Sequence, residues 1–301
     1  MKLGALGEDR LLNRILLHVP RGRGGKVFAG SADDCAIVEI PGSKKYLVLK
    51  TDCVVEGVHF VHGTNASDVG WKAMMRPLSD FAAASAIPQF ALITLIVPQQ
   101  TKVAWVLGLY RGLRRAASRL EVSIVGGDTS NTSGPIAISV TVIGFVEKSR
   151  AASRRGGRSG DDLFVTGRLG GALKRKHLKF VARIAESRWL TKNFSIHAMM
   201  DLSDGLGADL PRFARASKVR FDIQLENLPL ARGATIENAI SEGEDYELLF
   251  AVSPRDRNRL EHEWRRNFPK LLLTRIGSLN RKSQVANRKL PLGYIHFQQP
   301  R

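Results

Sequence analysis

Apolar residues at Leu11, Leu12, Ile15 and Leu16 recur at helical spacing and predict a helix over 8–19. A Gly/Arg-rich stretch over 21–26 breaks that pattern. Strand-like runs follow at 34–40, 46–52 and 90–97, the first two joined as a hairpin through Pro41-Gly42-Ser43-Lys44. Between the second and third runs the spacing predicts a helix over 67–86, with Ser67 as its N-cap. A further helix is expected over 101–120, then strands over 122–125 and 135–146 around a Gly-rich turn.

Residues 147–160 are polar, basic and rich in glycine, which marks a boundary. Beyond it the pattern predicts strands at 162–166, 221–225, 246–252 and 271–276, and helices at 206–217 (containing Pro211) and 254–267. The expected fold class is α/β with mixed α+β sheets, in two domains, 1–148 and 149–301. Strict β-α-β alternation is absent, and no short-period repeat is visible.

Composition changes this picture in one respect. The 301 residues carry 46 Lys+Arg against 28 Asp+Glu, a net charge of +18, and 44% hydrophobic residues. That apolar share suits a buried core and excludes a disordered chain. Such a charge raises a nucleic-acid or polyphosphate partner, since basic patches neutralise phosphates. The basic clusters are scattered over several elements, however, and aromatics do not interleave with them as a stacking platform requires. A nucleic-acid partner is therefore disfavoured. No run approaches the roughly 18 apolar residues of a membrane span, no signal peptide is evident at the start, and two cysteines are too few for a disulfide framework. The chain reads as cytoplasmic, with no membrane partner.

Against so basic a background the acids are informative. Asp33, Asp34, Asp52, Asp80 and Asp128 fall at expected strand ends or turns, followed by Asp201, Asp204, Glu244 and Asp245. Singly, each reads as an Asx-turn or helix cap, above all Asp80 and Asp204, each preceded by serine in Ser-Asp or Leu-Ser-Asp. Together, hard oxygen donors from several loops, without His or Cys clusters, suit Mg²⁺ with room for substrate phosphates. Gly126-Gly127-Asp128-Thr129-Ser130 and Gly167-Arg168-Leu169-Gly170-Gly171 could each cradle a phosphate or be an ordinary turn. Walker, protein-kinase, zinc-protease, redox and nucleophile-elbow motifs are all missing. The residues point to a Mg²⁺-dependent enzyme acting on phosphates.

In order, Ser-Ala-Asp-Asp-Cys-Ala (31–36), Thr-Asp-Cys-Val-Val-Glu-Gly-Val-His-Phe (51–60), Lys-Ala-Met-Met-Arg-Pro-Leu-Ser-Asp-Phe-Ala-Ala (72–83), Gly-Gly-Asp-Thr-Ser (126–130), Asp-Leu-Ser-Asp-Gly-Leu (201–206) and Gly-Glu-Asp-Tyr-Glu-Leu (243–248) resemble the thiamine-monophosphate kinase family of the aminoimidazole-ribonucleotide-synthetase-like superfamily. The resemblance implies a two-domain fold of that superfamily, dimerising through the N-terminal sheet. It implies transfer of the ATP γ-phosphoryl group to thiamine monophosphate, giving thiamine diphosphate. By position, Asp34, Thr51, Asp52, Asp80, Asp128, Asp201 and Asp204 would hold Mg²⁺, with Asp128 and Asp204 at the chemistry. Gly127, Asp128, Arg154 and Ser203 would contact ATP, and His59, Ser241 and Tyr294 the thiamine phosphate. The acceptor is a phosphate monoester with a second pKa of about 6, so no general base is needed and direct in-line transfer is expected.

The chain departs from the family pattern in places. Lys50 stands where a hydroxyl usually precedes Thr-Asp, and an ammonium beside a metal cluster either replaces one cation or repels it. The stretch between Gly171 and Asp201 is short, with Lys176-His177-Leu178-Lys179-Phe180 in place of an Arg-His-Leu-Arg-Pro-like segment. Glu242 replaces a glycine. Pro291 takes the place of an aromatic expected to cover the thiamine rings, leaving Tyr294 as substitute. Two other readings stand beside the kinase: a superfamily relative using Mg-ATP on another small phosphorylated or amide-type acceptor, and a non-catalytic basic nucleic-acid- or polyphosphate-binding protein.

Overall fold

The hydrophobic periodicities become eight α-helices and eleven strands in the computed structural model, which describes residues 3–18, 26–30, 33–174, 176–281 and Gly293. In chain order they begin with α1 (Leu3–Leu6), α2 (Glu8–His18), β1 (Val27–Ala29), β2 (Ala36–Glu39), β3 (Lys45–Val55), α3 (Ala66–Ala83), β4 (Ile87–Val97), α4 (Val103–Arg119), β5 (Ser123–Asn131) and β6 (Ala137–Glu147). They continue with β7 (Asp162–Thr166), α5 (Ile184–Asn193), β8 (Ile196–Asp201), α6 (Leu206–Ala216), β9 (Arg220–Ile223), α7 (Ile236–Ser241), β10 (Leu248–Val252), α8 (Arg257–Asn267) and β11 (Leu273–Asn280). No described helix is long and apolar enough to cross a membrane.

The chain forms two compact units. The first holds Val27–Ser153 and Arg175–Phe194; the second holds Met1–Lys26, Arg154–Lys174 and Ser195–Arg301. The chain thus returns to the first unit for one segment, a crossing that a single division after residue 148 does not contain. That segment carries α5, and polar contacts tie it to α3 and β6. The Trp71 indole donates to the Phe180 carbonyl at 2.7 Å. Arg188 donates two bonds to the Glu147 carboxylate, at 2.7 and 2.8 Å.

In the first unit six strands lie in the order β1-β2-β3-β6-β4-β5, antiparallel except for the parallel pair β4/β5, which α4 connects. The expected β2–β3 hairpin is present, with Gly42 at φ +75° in its turn. Helix α3 packs on β3 and β6 and against α4. The α3–α4 approach is close enough to require glycine: a Cβ on Gly70 would lie 2.0 Å from the Leu109 carbonyl oxygen, and one on Gly112 equally near that of Ser67. The α3 N-cap is Asn65, not Ser67; its side chain accepts from the Ser67 and Asp68 amides at 2.9 and 3.4 Å. Ser67 is instead inside the first turn. Gly126-Gly127-Asp128 lies within β5 rather than in a turn, because pairing with β4 carries the strand through to Asn131.

The second unit has a five-stranded antiparallel sheet, β8-β10-β7-β11-β9. Its central strands β7 and β10 are buried along their whole length, which explains why Leu248–Val252 is uniformly apolar rather than alternating. On one face Leu163, Val165, Met200, Leu249 and Ala251 form a core with Leu206, Leu210 and Phe213 of α6. On the other, Phe164 and Phe250 stack at 5.7 Å between centroids. The one charged residue of β7, Asp162, accepts from Arg257 at 2.7 and 2.8 Å and from Arg275 at 2.6 Å.

Candidate active site

In the first unit two charge pairs cross between β3 and α3. Side chains two residues apart on a strand share a face about 6.7 Å apart, and residues four apart on a helix are separated by a rise of about 6 Å. Lys50 and Asp52 on β3 therefore match Arg76 and Asp80 on α3. The Lys50 ammonium donates to Asp80 Oδ1 at 2.9 Å, and Arg76 donates to both Asp52 oxygens, at 3.2 and 3.4 Å. The Cys53 amide also donates to Asp52 Oδ1. Burial opposes the Asp52 charge, but Arg76 and Lys50 outweigh it and hold the carboxyl below the usual carboxylate range. Burial likewise opposes the Lys50 charge, and Asp80 and Asp52 hold the ammonium above the usual lysine range.

Asp34, just ahead of β2, adds a third carboxylate. It and Asp80 are both buried, and they bring oxygens within 4.8 Å of each other. Asp80 sits inside α3, so it caps no helix. Thr51 points to the opposite face of β3, where its hydroxyl lies 3.0 Å from Thr141 and 3.3 Å from Ser139; its side chain does not join the carboxylates. The His59 ring accepts from the Val55 amide at 3.0 Å, and the His59 carbonyl accepts from the buried Lys72 ammonium at 2.5 Å. Lys72 also meets His177 Nδ1 at 2.9 Å. Gly127 and Asp128 are exposed on the edge strand β5.

The second unit zips two loops together. The Leu202 amide donates to the Glu247 carbonyl at 2.9 Å, and the Glu244 and Tyr246 amides donate to the carbonyls of Ser203 and Leu202 at 2.7 and 2.8 Å. To reach this register Glu244 and Tyr246 adopt positive φ, +68° and +51°, a conformation costing of order 1 kcal/mol or more in a non-glycine residue. Asp209, on the core side of α6, accepts from the amides of Ser203 and Asp204 at 3.0 and 2.9 Å. Arg212 binds both Asp204 and Asp209. Burial, then the nearby Asp204 charge, push the Asp209 pKa up to about 8. Asp204 precedes the N-cap Gly205, so it is not the cap itself.

The other expected site residues of this unit lie apart from that network or beside it. Asp201 ends β8, buried. The Arg154 carbonyl accepts from Ser217 at 2.9 Å, and its charge acts on Asp209. The Ser241 hydroxyl donates to the Glu237 carbonyl within α7, at 2.8 Å. Amides of the second glycine-rich loop are taken by the chain's own carboxylates: Gly170 donates to Asp245 at 2.9 Å and Gly171 to Glu242 at 2.6 Å. That loop is a structural turn. Tyr294 and Pro291 lie outside the described residues.

Comparison with known proteins identifies this arrangement. Residues 32–146 match the family of AIR synthase related protein, N-terminal domain, and residues 141–267 its C-terminal domain. The chain is 35% identical to the thiamine-monophosphate kinase of Rhodopirellula baltica, covering 90% of this chain and 92% of that one. It is 34% identical to that of Aquifex aeolicus, covering 99% and 100%. The chain belongs to the thiamine-monophosphate kinase family. Its fold is the two-domain AIR synthase-like fold: the structure of AaThiL complexed with AMPPCP and TMP superposes with a TM-score of 0.83 at 34% identity, over 98% of this chain and 99% of that one.

Within this kinase-family frame, the pairing of the Asp-Leu-Ser-Asp-Gly-Leu and Gly-Glu-Asp-Tyr-Glu-Leu motifs acquires a physical reason, since they are two sides of one hydrogen-bonded junction. Arg76, Asp209 and Arg212 are the residues that motif reading missed. For Asp209 a signal existed: a carboxylate among Leu206, Leu210 and Phe213 on the core face of an amphipathic helix needs partners. For Arg76 the signal was its spacing of four from Asp80.

Proposed function

We propose that this chain phosphorylates thiamine monophosphate to thiamine diphosphate with ATP and Mg²⁺, by direct in-line transfer. The observation that carries the reading is the 34% identity and TM-score of 0.83, over 98% of the chain, to a relative complexed with AMPPCP and TMP. The donor set supports Mg²⁺: Asp34 and Asp80 are buried oxygen donors a few ångströms apart, with no imidazole or thiolate among them, the chemistry this hard cation selects. Asp34, Asp52, Asp80 and Asp128 of the first unit would hold it, and the resemblance gives Asp201 and Asp204 the same role. Bound Mg²⁺ supplies charge neutralisation to the phosphates.

The chain's own residues then have separable tasks. Arg76 fixes the Asp52 carboxylate, and Asp209 with Arg212 fixes Asp204 and the Ser203 backbone. Gly127, Arg154 and Ser203 would bind ATP; His59, Ser241 and Tyr294 would bind the acceptor. The acceptor is mostly dianionic at neutral pH, so no side chain need remove a proton, and rate comes from holding two polyanions in line. An open sheet face supports a homodimer. Ala91, Ile93 and Leu95 of β4 are buried, whereas Phe90 and Leu92 on the other face are 43% and 39% exposed, a concentration that suits contact with a second copy. Leu92→Arg should yield a monomer by light scattering; an unchanged dimer refutes that surface. Cys35 and Cys53 form no disulfide, as suits a protein of the reducing cytoplasm.

The test is chromatographic detection of thiamine diphosphate from thiamine monophosphate, ATP and MgCl₂, beside thiamine and metal-free controls. Product only with the monophosphate and Mg²⁺ is the expected result. Binding of Mg-ATP without product moves the acceptor to another small phosphorylated compound and refutes the proposed substrate.

A further inference from the structure

A lysine side chain stands within the first unit's carboxylate cluster. Asp34, Asp52 and Asp80 carry three negative charges. Arg76 neutralises one through its two bonds to Asp52, and Lys50 meets Asp80 at 2.9 Å. With both bases the group keeps one net negative charge; without Lys50 it would have two, the charge of one divalent ion. Lys50 is held where it is by geometry, because its strand position faces Asp80 as Asp52 faces Arg76. Its ammonium therefore lies against an oxygen donor that a metal ion would otherwise use, within the same pair of carboxylates, Asp34 and Asp80.

We propose that the Lys50 ammonium takes the place of one divalent cation, so that this chain binds one metal ion fewer than it would with a neutral residue at position 50. The inference rests on the Mg²⁺-kinase reading and specifies its metal content. A fixed monovalent charge cannot bridge phosphate oxygens as a divalent ion can, but it stabilises the Asp80 carboxylate permanently, whether or not nucleotide is bound. Cation binding at Asp34 and Asp80 is thereby traded for a covalently tethered charge. The like charge also disfavours any divalent ion placed within about 4 Å of it.

Mn²⁺ is the probe, its free concentration read by electron paramagnetic resonance during titration of the full chain, with and without AMPPCP. The variants are Lys50→Met, which keeps the stem and removes the charge without adding a ligand, and Lys50→Ser, which opens the position. Lys50→Arg keeps the charge. Circular dichroism establishes that each is folded. Expected is one additional Mn²⁺ per chain in Lys50→Met or Lys50→Ser, bound at least about tenfold tighter than any corresponding ion of the parent, and an unchanged count in Lys50→Arg. Either neutral variant suffices. If the parent binds Mn²⁺ and neutral variants bind the same number with the same affinity, the replacement of a cation by Lys50 is refuted while the metal reading stands. If no protein of the set binds Mn²⁺, with nucleotide or without, the metal reading itself fails.

Discussion

Asp209→Ala tests the idea that a buried carboxylate on α6 holds the Asp204 loop in shape. In the native chain one Asp209 oxygen accepts from two backbone amides, Ser203 and Asp204, at 3.0 and 2.9 Å. Removing it strands two donors, at about 1–3 kcal/mol each. Relief of the cost of burying this carboxyl, the first cause of the raised Asp209 pKa ahead of the Asp204 charge, returns about 1 kcal/mol. The net loss is then about 1–5 kcal/mol, equivalent to a fall in melting temperature of about 2–20 °C for a domain of this size. Asp209→Asn should lose less, about 1 kcal/mol, because its amide oxygen can still serve both donors while its NH₂ faces Arg212. Calorimetry measures the melting shift. Hydrogen exchange over 199–206 locates it, with the Ser203 and Asp204 amides exchanging at least about tenfold faster in Asp209→Ala. An Ala variant melting within about 1 °C of the parent, with exchange unchanged, would refute the reasoning.

Three further outcomes are expected. Gly127→Ala should destabilise the first unit by about 2–3 kcal/mol in urea unfolding, because its Cβ would lie 1.8 Å from the Ile93 carbonyl oxygen at φ +156°; a neutral effect would mean β5 does not pair with β4 there. Asp128→Asn, at an exposed strand position, should abolish Mg²⁺-dependent turnover and leave the melting temperature unchanged, so full activity sinks its role in metal binding. Glu147 is depressed below 4.5, chiefly by its bonds to Arg188. The unfolded chain therefore binds more protons than the folded one around pH 4, and this contribution is present above about pH 4.5 and lost as pH falls through the lowered value. Glu147→Gln should lower stability at pH 7 by about 1 kcal/mol after allowance for its exposure; melting curves of the two proteins should converge in acid, and a gap that persists there refutes the pairing.

Much of this fold could be read from periodicity, since α3, α6 and the β2–β3 hairpin carry strong patterns closed by Asn, Gly or Pro. Strand β5 was expected only over 122–125, and its continuation to Asn131 was hidden because nearly all its residues are exposed. An edge strand has no buried face to generate alternation, and its glycines mimic a turn. Strand β8 was hidden by His197, a polar residue in an apolar run whose ring is bonded to the buried Asp161 at 2.9 Å. In the site, motifs marked Asp34, Asp52, Asp80 and Asp204 because acids in a basic chain stand out. They could not mark Arg76, Asp209 or Arg212, whose roles depend on which helix face meets which loop. Nor could they separate Thr51 from Asp52: adjacent strand residues always face apart, yet a motif counts them together.

The return of Arg175–Phe194 to the first unit has a consequence for synthesis. The polypeptide emerges from the ribosome N-terminus first, and the Glu147 carboxylate, the Trp71 indole and the Ser85 hydroxyl must wait for partners at Arg188, Phe180 and Thr191. At translation rates of about 5–20 residues per second, β6 is out for several seconds before α5 arrives to seal it. During that interval one strand of the second unit, β7, is already emerging. The first unit is therefore complete only once Phe194 has been made, and a stop codon placed after residue 153 would release it incomplete.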